Sequence, residues 1–221
     1  MRVTIVRLLA AVALGALALV PAWAEAGELR ALVRDQQGAP VADAVVVAVP
    51  RGAAPALRPG RETVDQIDKE FVPHVKAVVA GTAVFFPNKD NIRHHVYSFS
   101  PVKTFELPLY VGTPAKPVVF DRAGVVTIGC NIHDWMIGHI YVADTPHVGT
   151  TDKEGKVTLD GLPAGAYTAR VWHPRLEGTE QAASRPLVVD ASGAVAVTWQ
   201  VTLRPELRPR RAPVPGARGY R

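Results

Sequence analysis

Short β-branched runs separated by turn-forming residues constrain the fold of this 221-residue chain more than any other feature. Such runs recur from Leu29–Arg34 near the start to Val195–Val201 near the end, with Gly, Pro, Asn and Asp between them. Runs of this length and composition are typical of β-strands, and no sustained 3.6-residue periodicity indicates a helix. The sequence therefore predicts an all-β fold built from sandwiches.

The first residues have the composition of an export signal. Arg2 and Arg7 precede an apolar run over Leu8–Val20, and small residues at Ala22 and Ala24 suit a cleavage site. The run is about a dozen residues long, whereas a membrane-spanning helix needs about 20. We therefore expect residues 1–24 to be a cleaved signal peptide and the remaining chain to be periplasmic, with no integral membrane segment. The alternative is that the run is retained as an N-terminal anchor.

The last residues, 204–221, are basic and rich in proline. They contain six arginines and four prolines, with Glu206 as the only acid. A segment of this composition cannot bury a core, so we expect a disordered, solvated tail. Export would separate the tail from nucleic acid, which excludes that class of partner and leaves an anionic lipid or an acidic protein as possible ligands.

Two distant segments resemble the halves of one known domain. Leu29–Val47 contains the strand, Gly-x-Pro-Val turn and strand, and Thr151–Val171 contains the hairpin and Leu-Pro-x-Gly-x-Tyr turn, of the transthyretin-like carboxypeptidase regulatory domain. About 100 residues separate the halves, which is too long for a loop. The resemblance implies one β-domain formed by residues 25–60 and 147–203, with a second folded domain inserted at 61–146. The alternative is that each half is an ordinary hairpin.

Sulfur-containing residues are scarce and closely spaced. Cys130 is the only cysteine, and Met136 is the only methionine besides Met1. An unpaired thiol is a liability in an oxidising compartment unless it is buried, paired between chains or bonded to a metal. In Cys130-x-x-His133-x-x-Met136, which follows an apolar run, a thiolate, an imidazole and a thioether can converge in one tight loop.

This donor set favours copper over zinc. Two histidines, one cysteine and a weakly bound methionine suit a blue copper site that cycles between Cu⁺ and Cu²⁺. The motif supplies only one of the two histidines, so a distant histidine must complete the set. Zinc prefers a tetrahedral site without a thioether.

The segments Val84–Phe99 and Gly124–Ile140 resemble the small cupredoxins, amicyanin and plastocyanin. The resemblance covers about Glu62–Pro146, and it extends to the exported plastocyanin-like proteins described as methylamine utilization proteins. It implies a Greek-key β-sandwich that binds one copper ion. The ligands that it implies are His94, Cys130, His133 and Met136.

Two further positions acquire a role through this resemblance. Asn88 matches an asparagine that ties the ligand loops together, and His95 stands where the family usually has an asparagine beside the first ligand. Because His94 and His95 are adjacent, either could be the ligand. The resemblance selects His94. Asp134 departs from the family, which commonly has a proline after the second histidine.

A copper ion closed in by four protein ligands has no open position for a substrate, which favours electron transfer over catalysis. We therefore predict a periplasmic type 1 (blue) copper protein that is not an enzyme but a one-electron carrier. Its partner would be a redox protein, a dehydrogenase or a cytochrome. The alternatives are a periplasmic copper-binding or delivery protein and a non-redox extracellular recognition module, which the fold alone does not separate.

The other residues near the motif have simpler interpretations. Ile132 and Ile137 flank His133 and could form an apolar exit for electrons, whereas Trp135 suits either that patch or the core. The remaining histidines are interpreted as surface or packing residues; these are His74, His139, His147 and His173.

Overall fold

The computed structural model describes residues 26–53, 55–114, 116–191 and 193–206. The predicted signal peptide and most of the predicted tail lie outside these ranges. The described residues form 17 β-strands and no helix, which confirms the predicted all-β fold. Within the same ranges, no helix offers the length and apolar character needed to cross a membrane.

The strands are short and are numbered along the chain. They are β1 (Ala26–Arg34), β2 (Val45–Pro50), β3 (Arg61–Thr63), β4 (Asp65–Ile67), β5 (Glu70–Val72), β6 (Val75–Val79), β7 (Thr82–Phe85), β8 (His94–Ser100), β9 (Lys103–Tyr110), β10 (Val118–Phe120), β11 (Gly124–Gly129), β12 (Ile137–Ala143), β13 (Val148–Thr150), β14 (Lys156–Pro163), β15 (Gly165–Trp172), β16 (Arg185–Val189) and β17 (Ala194–Gln200).

Strands from both ends of the chain share one hydrophobic core. The sheets β14-β1-β17 and β13-β2-β15-β16 form what we call the flanking sandwich. Leu29 and Val33 alternate with more exposed residues along β1 and pack in one cluster with Tyr167 and Trp199. β1 runs antiparallel to β14 and parallel to β17. The alternating pattern near the start of the chain therefore reflects burial of one face of β1.

The chain between β2 and β13 forms a second core. Its five-stranded sheet β6-β12-β11-β8-β9, three-stranded sheet β10-β7-β3 and hairpin β4-β5 make up what we call the central sandwich. Phe86, Phe120 and Ile140 are almost fully buried in its core, together with Cys130 and Met136. The two sulfur-containing side chains therefore belong to the packed apolar interior of the central sandwich.

A third apolar cluster joins the two sandwiches. Val45 and Val47 of β2 pack with Val75 and Tyr141 of the central sandwich, and Trp172 lies against this group. The chain passes between the sandwiches nearby, where the backbone amide of Ala48 donates to the carbonyl of His147 at 2.9 Å. The two connections between the sandwiches thus lie next to each other.

The beginning of the predicted tail is bonded to the flanking sandwich. The amide of Arg204 donates to the carbonyl of Arg175 at 2.8 Å, and Nε of Arg175 donates to the carbonyl of Arg204 at 2.7 Å. Arg175 also forms an ion pair with Glu206 at 3.6 Å. Residues 204–206 are thereby held against the loop that follows β15, and the rest of the predicted tail, 207–221, lies outside the described residues.

Candidate metal centre

Two neighbouring strands bring the separated histidine and cysteine together. β11 ends at Gly129, directly before Cys130, and β8 begins at His94. The two strands are antiparallel neighbours, with Gly129 opposite Tyr97. Because antiparallel strands run in opposite directions, the end of β11 lies beside the start of β8. The strand pairing thus places Cys130 next to a residue far away in the sequence.

Three of the four predicted ligands converge. One ligand atom from each of His94, Cys130 and His133 lies within 4.8 Å of the others. Sγ of Cys130 is 3.8 Å from Nδ1 of His133, and the rings of His94 and His133 have centroids 5.0 Å apart. A thiol and two imidazoles form a donor set suited to copper.

His94 has a nitrogen atom that a metal ion would satisfy. Its Nδ1 is buried without a hydrogen-bond partner, whereas its Nε2 is bonded to Asp90. A buried polar atom without a partner is costly, and such atoms are rare in folded proteins. The unpaired nitrogen, close to a buried thiol and a second imidazole, therefore fits a bound metal ion.

The loop from Cys130 to Met136 is folded by its own backbone. The amide of Cys130 donates to the carbonyl of Met136 at 3.2 Å, and the amide of Met136 donates to the carbonyl of His133 at 2.9 Å. These bonds bring the two ends of the loop together. Met136 is 1% exposed and belongs to the same core cluster as Cys130. The thioether is thus held on the buried side of the loop.

His95 makes different contacts from His94. Its Nε2 lies 2.9 Å from Oε1 of Glu106, and its ring packs against Tyr97 with centroids 5.3 Å apart. The pairing of β8 with β9 is irregular between His94 and Val96, which gives the two adjacent histidines separate environments. Within the described residues, the group of converging donor atoms contains His94 and not His95.

Asn88 holds the loop that precedes His94. Its side-chain amide donates to the carbonyls of Ile92 and Tyr110, each at 2.8 Å. Its Oδ1 accepts a hydrogen bond from the amide of Asp90 at 3.0 Å. These bonds fix the loop against the end of β9 and limit the positions open to His94.

Asp90 is a member of the site that sequence reasoning missed. Nε2 of His94 donates to Oδ2 of Asp90 at 2.7 Å, and the amides of Asp68 and Lys69 donate to the same carboxylate at 2.7 and 2.8 Å. Burial opposes ionisation of Asp90, but the hydrogen bonds from Lys69, His94 and Asp68 prevail and lower its pKa. The carboxylate therefore stays charged and keeps a proton on Nε2 of His94, which leaves Nδ1 with its lone pair.

His133 lies in surroundings that favour its neutral form. Burial lowers the pKa of His133, and the nearby groups His94 and Lys69 lower it further, against a smaller opposing effect of Asp90. A metal ion binds only the deprotonated imidazole nitrogen, so a lowered pKa favours binding. The ring of Trp135 lies 5.2 Å from that of His133, and Ile132 beside it is 48% exposed.

Comparisons with known proteins give limited similarity. No family model matches the chain, and no curated protein matches it. Among solved structures, a copper-containing nitrite reductase from Thermus scotoductus shares 27% identity over 42% of this chain and 25% of its own, with a TM-score of 0.36. A purple cupredoxin from Nitrosopumilus maritimus shares 20% identity over 38% of this chain and 99% of its own, with a TM-score of 0.34.

An amicyanin variant carrying the P52G substitution is also similar. It shares 21% identity over 43% of this chain and 98% of its own, with a TM-score of 0.35. The matched region thus spans nearly all of the small copper proteins but about a quarter of the nitrite reductase chain. Each of these three matches covers less than half of the present chain.

Proposed function

We propose that this protein is a periplasmic one-electron carrier with a single type 1 copper ion. The ligands would be His94, Cys130, His133 and Met136. The observation that carries the proposal is the convergence of three of these side chains within 4.8 Å, at a place where Nδ1 of His94 is buried without a partner. Copper held by such donors supplies a Cu⁺/Cu²⁺ couple.

The protein's own residues would keep this couple closed to substrates. Cys130 and Met136 are 4% and 1% exposed, so water has little access from the core side. Asp90 holds the ring of His94, and Asn88 holds the loop between them. A rigid site with all its ligands supplied by the chain leaves no position for a reacting molecule, which supports electron transfer rather than catalysis.

Exposed apolar residues lie on the loops that carry or border the ligands. His133 is partly exposed, and Ile92, Val111 and Ile132 are exposed by 36%, 57% and 48% on three loops near the centre. Exposed apolar residues on loops next to a ligand suit a partner that binds briefly. We therefore assign electron exchange to the His133 side, with a redox protein such as a dehydrogenase or a cytochrome as the partner.

The flanking sandwich is proposed to be a transthyretin-like domain made of residues 25–60 and 147–203, with the copper domain at 61–146 inserted into it. The pairing of β1 with β14 and β17, and of β2 with β15, supports this division. Each unit also has its own buried cluster. Entry and exit through adjacent strand ends is the arrangement in which a domain insertion is tolerated.

The visible absorption spectrum of the copper-loaded protein tests the proposed function. A short copper–thiolate bond gives an intense blue or green charge-transfer band, which Cys130→Ser should abolish. Reversible one-electron cycling at a constant copper content should accompany the band. Copper binding without this colour would contradict the electron-carrier proposal and favour a delivery protein. Absence of any copper binding would favour a recognition module.

A further inference from the structure

A cavity of about 570 Å³ lies where the two sandwiches meet. Its walls include His74 and His139 from the central sandwich and His173 from the flanking sandwich. Three of the seven histidines of the chain therefore line one cavity, although the sequence predicts only surface or packing roles for them. None of them belongs to the converging donors at Cys130.

The backbone fixes two of these histidines next to each other. β6 and β12 run parallel, and the amide of His139 donates to the carbonyl of His74 at 2.9 Å. Their rings have centroids 5.3 Å apart, against 5.0 Å for His94 and His133. Two imidazoles that bind one ion through bonds of about 2.0–2.1 Å have centroids about 5 Å apart. The spacing of this pair therefore suits a shared metal ion.

The hydrogen bonds of the pair set the tautomer of each ring. Nδ1 of His74 lies 3.0 Å from the carbonyl oxygen of Ile137. Because a carbonyl only accepts, Nδ1 carries the proton and Nε2 of the neutral ring carries a lone pair. Nδ1 of His139 lies 3.3 Å from Oγ1 of Thr127, and the hydroxyl can accept from it in the same way. Metal-binding histidines commonly have their second nitrogen bonded like this.

His173 has the opposite arrangement. Its Nδ1 accepts a hydrogen bond from the amide of Arg175 at 3.1 Å, so the proton of the neutral ring is on Nε2. A metal ion at Nε2 would require the proton to move to Nδ1, where it would face the amide of Arg175. His173 is therefore a wall residue of the cavity rather than a ligand. It also provides a matched control.

We propose that His74 and His139 form a second metal site, separate from the centre at Cys130. Two imidazoles suit Zn²⁺ or Cu²⁺ rather than Mg²⁺ or Ca²⁺, which prefer oxygen ligands. Two protein imidazoles leave further coordination positions for water or a small anion. The site therefore differs from the closed centre at Cys130 in being open to exogenous ligands.

Nuclear magnetic resonance of the histidine rings tests this site in the purified protein. With the Cys130 centre filled by Cu⁺, addition of Zn²⁺ should shift the Nε2 signals of His74 and His139 and saturate at one further equivalent. Cu²⁺ added instead should broaden the same signals. Absence of any change at both rings, or saturation only at large excess of both ions, would overturn the proposal.

Variants separate this site from the copper centre. His74→Gln and His139→Gln should each weaken the binding of the added Zn²⁺ by at least about 10-fold, whereas His173→Gln should leave it unchanged. Equal losses in all three variants would overturn the assignment of ligands. Cys130→Ser should retain the signal changes at His74 and His139, so a failure of the electron-carrier proposal would leave this one standing.

Discussion

Nε2 of the buried His94 donates a hydrogen bond of 2.7 Å to Oδ2 of Asp90, four residues earlier in the chain. The carboxylate is in turn held by two backbone amides in the turn between β4 and β5, those of Asp68 and Lys69. Both residues have positive φ angles, 52° and 61°, and their consecutive amides point at the two oxygens of one carboxylate. The orientation of a predicted copper ligand thus depends on a hairpin that contributes no ligand itself.

Asp90→Asn tests this relationship. The variant keeps the size of the side chain but removes the charge, so the ring of His94 becomes less basic and less well oriented. We expect copper affinity to fall by about 10- to 100-fold. We also expect the reduction potential to rise, because a negative charge near the site stabilises Cu²⁺ over Cu⁺. Competition with a chelator and protein voltammetry measure the two effects. Asp121→Asn, at an exposed acid paired with Lys103, is the control that should change neither.

His94→Ala and His95→Ala distinguish the two adjacent histidines. The first removes a converging donor and should abolish the charge-transfer band. The second loses its bond to Glu106, which is 68% exposed, and should keep the band with at most a small shift. Absorption spectra at equal copper content provide the comparison. A band that survives His94→Ala and disappears in His95→Ala would mean that the ligand is one position later.

Met136→Leu tests the thioether. Leucine has a similar volume, and this kind of core substitution costs less than about 1.5 kcal/mol of stability. Because the axial bond is weak, the variant should keep its colour, and loss of a donor that stabilises Cu²⁺ should raise the potential. Voltammetry of the variant beside the wild type measures the change. An unchanged potential would show that Met136 only fills the core.

His147 should make the metal-free protein sensitive to mild acid. Burial lowers the pKa of His147, and its Nε2 has no hydrogen-bond partner. The folded state therefore binds the proton less readily than the unfolded state, whose pKa is about 6.5. The contribution of His147 to stability should be complete above that pH and should be lost as the pH falls toward the folded pKa. His147→Gln should remove this part of the slope. Urea unfolding at pH 7.5 and 5.5 compares the two proteins, and identical slopes would contradict the expectation.

Joining Arg51 to Thr145 through a short linker tests the proposed insertion. Oγ1 of Thr145 donates to the carbonyl of Ala48 at 3.0 Å, so Thr145 lies beside a residue three positions before Arg51, and a short linker can span the gap. The joined chain keeps the cluster around Trp199 intact, so it should unfold in one cooperative transition. Circular dichroism during denaturation follows the transition. A gradual loss of signal, with NMR lines typical of a disordered chain, would indicate that the flanking sandwich depends on the central one.

Local signals in the sequence predicted the fold class and the approach of His133 to Cys130, whereas His94 was selected by the resemblance to the cupredoxins. Alternating runs indicate strands, and the spacing of Cys130, His133 and Met136 lies within one loop. Asp90 and the pair His74 and His139 were not identified as functional. The contacts of Asp90 depend on the turn between β4 and β5, which packs against the loop that contains Asp90. The contacts of His74 and His139 depend on the parallel pairing of β6 with β12. Periodicity predicts strands but does not determine their partners.

The parallel pairing of β1 with β17, from Glu28 opposite Ala194 to Arg34 opposite Gln200, determines how the protein would respond to tension. A pull applied through the two chain ends loads these strands in opposite directions along their length. All the hydrogen bonds between them then share the force instead of breaking one after another. The central sandwich begins and ends inside the flanking sandwich, so it bears no load until that pair separates. A force that strains the outer strands would therefore leave the ligand geometry around Cys130 unchanged.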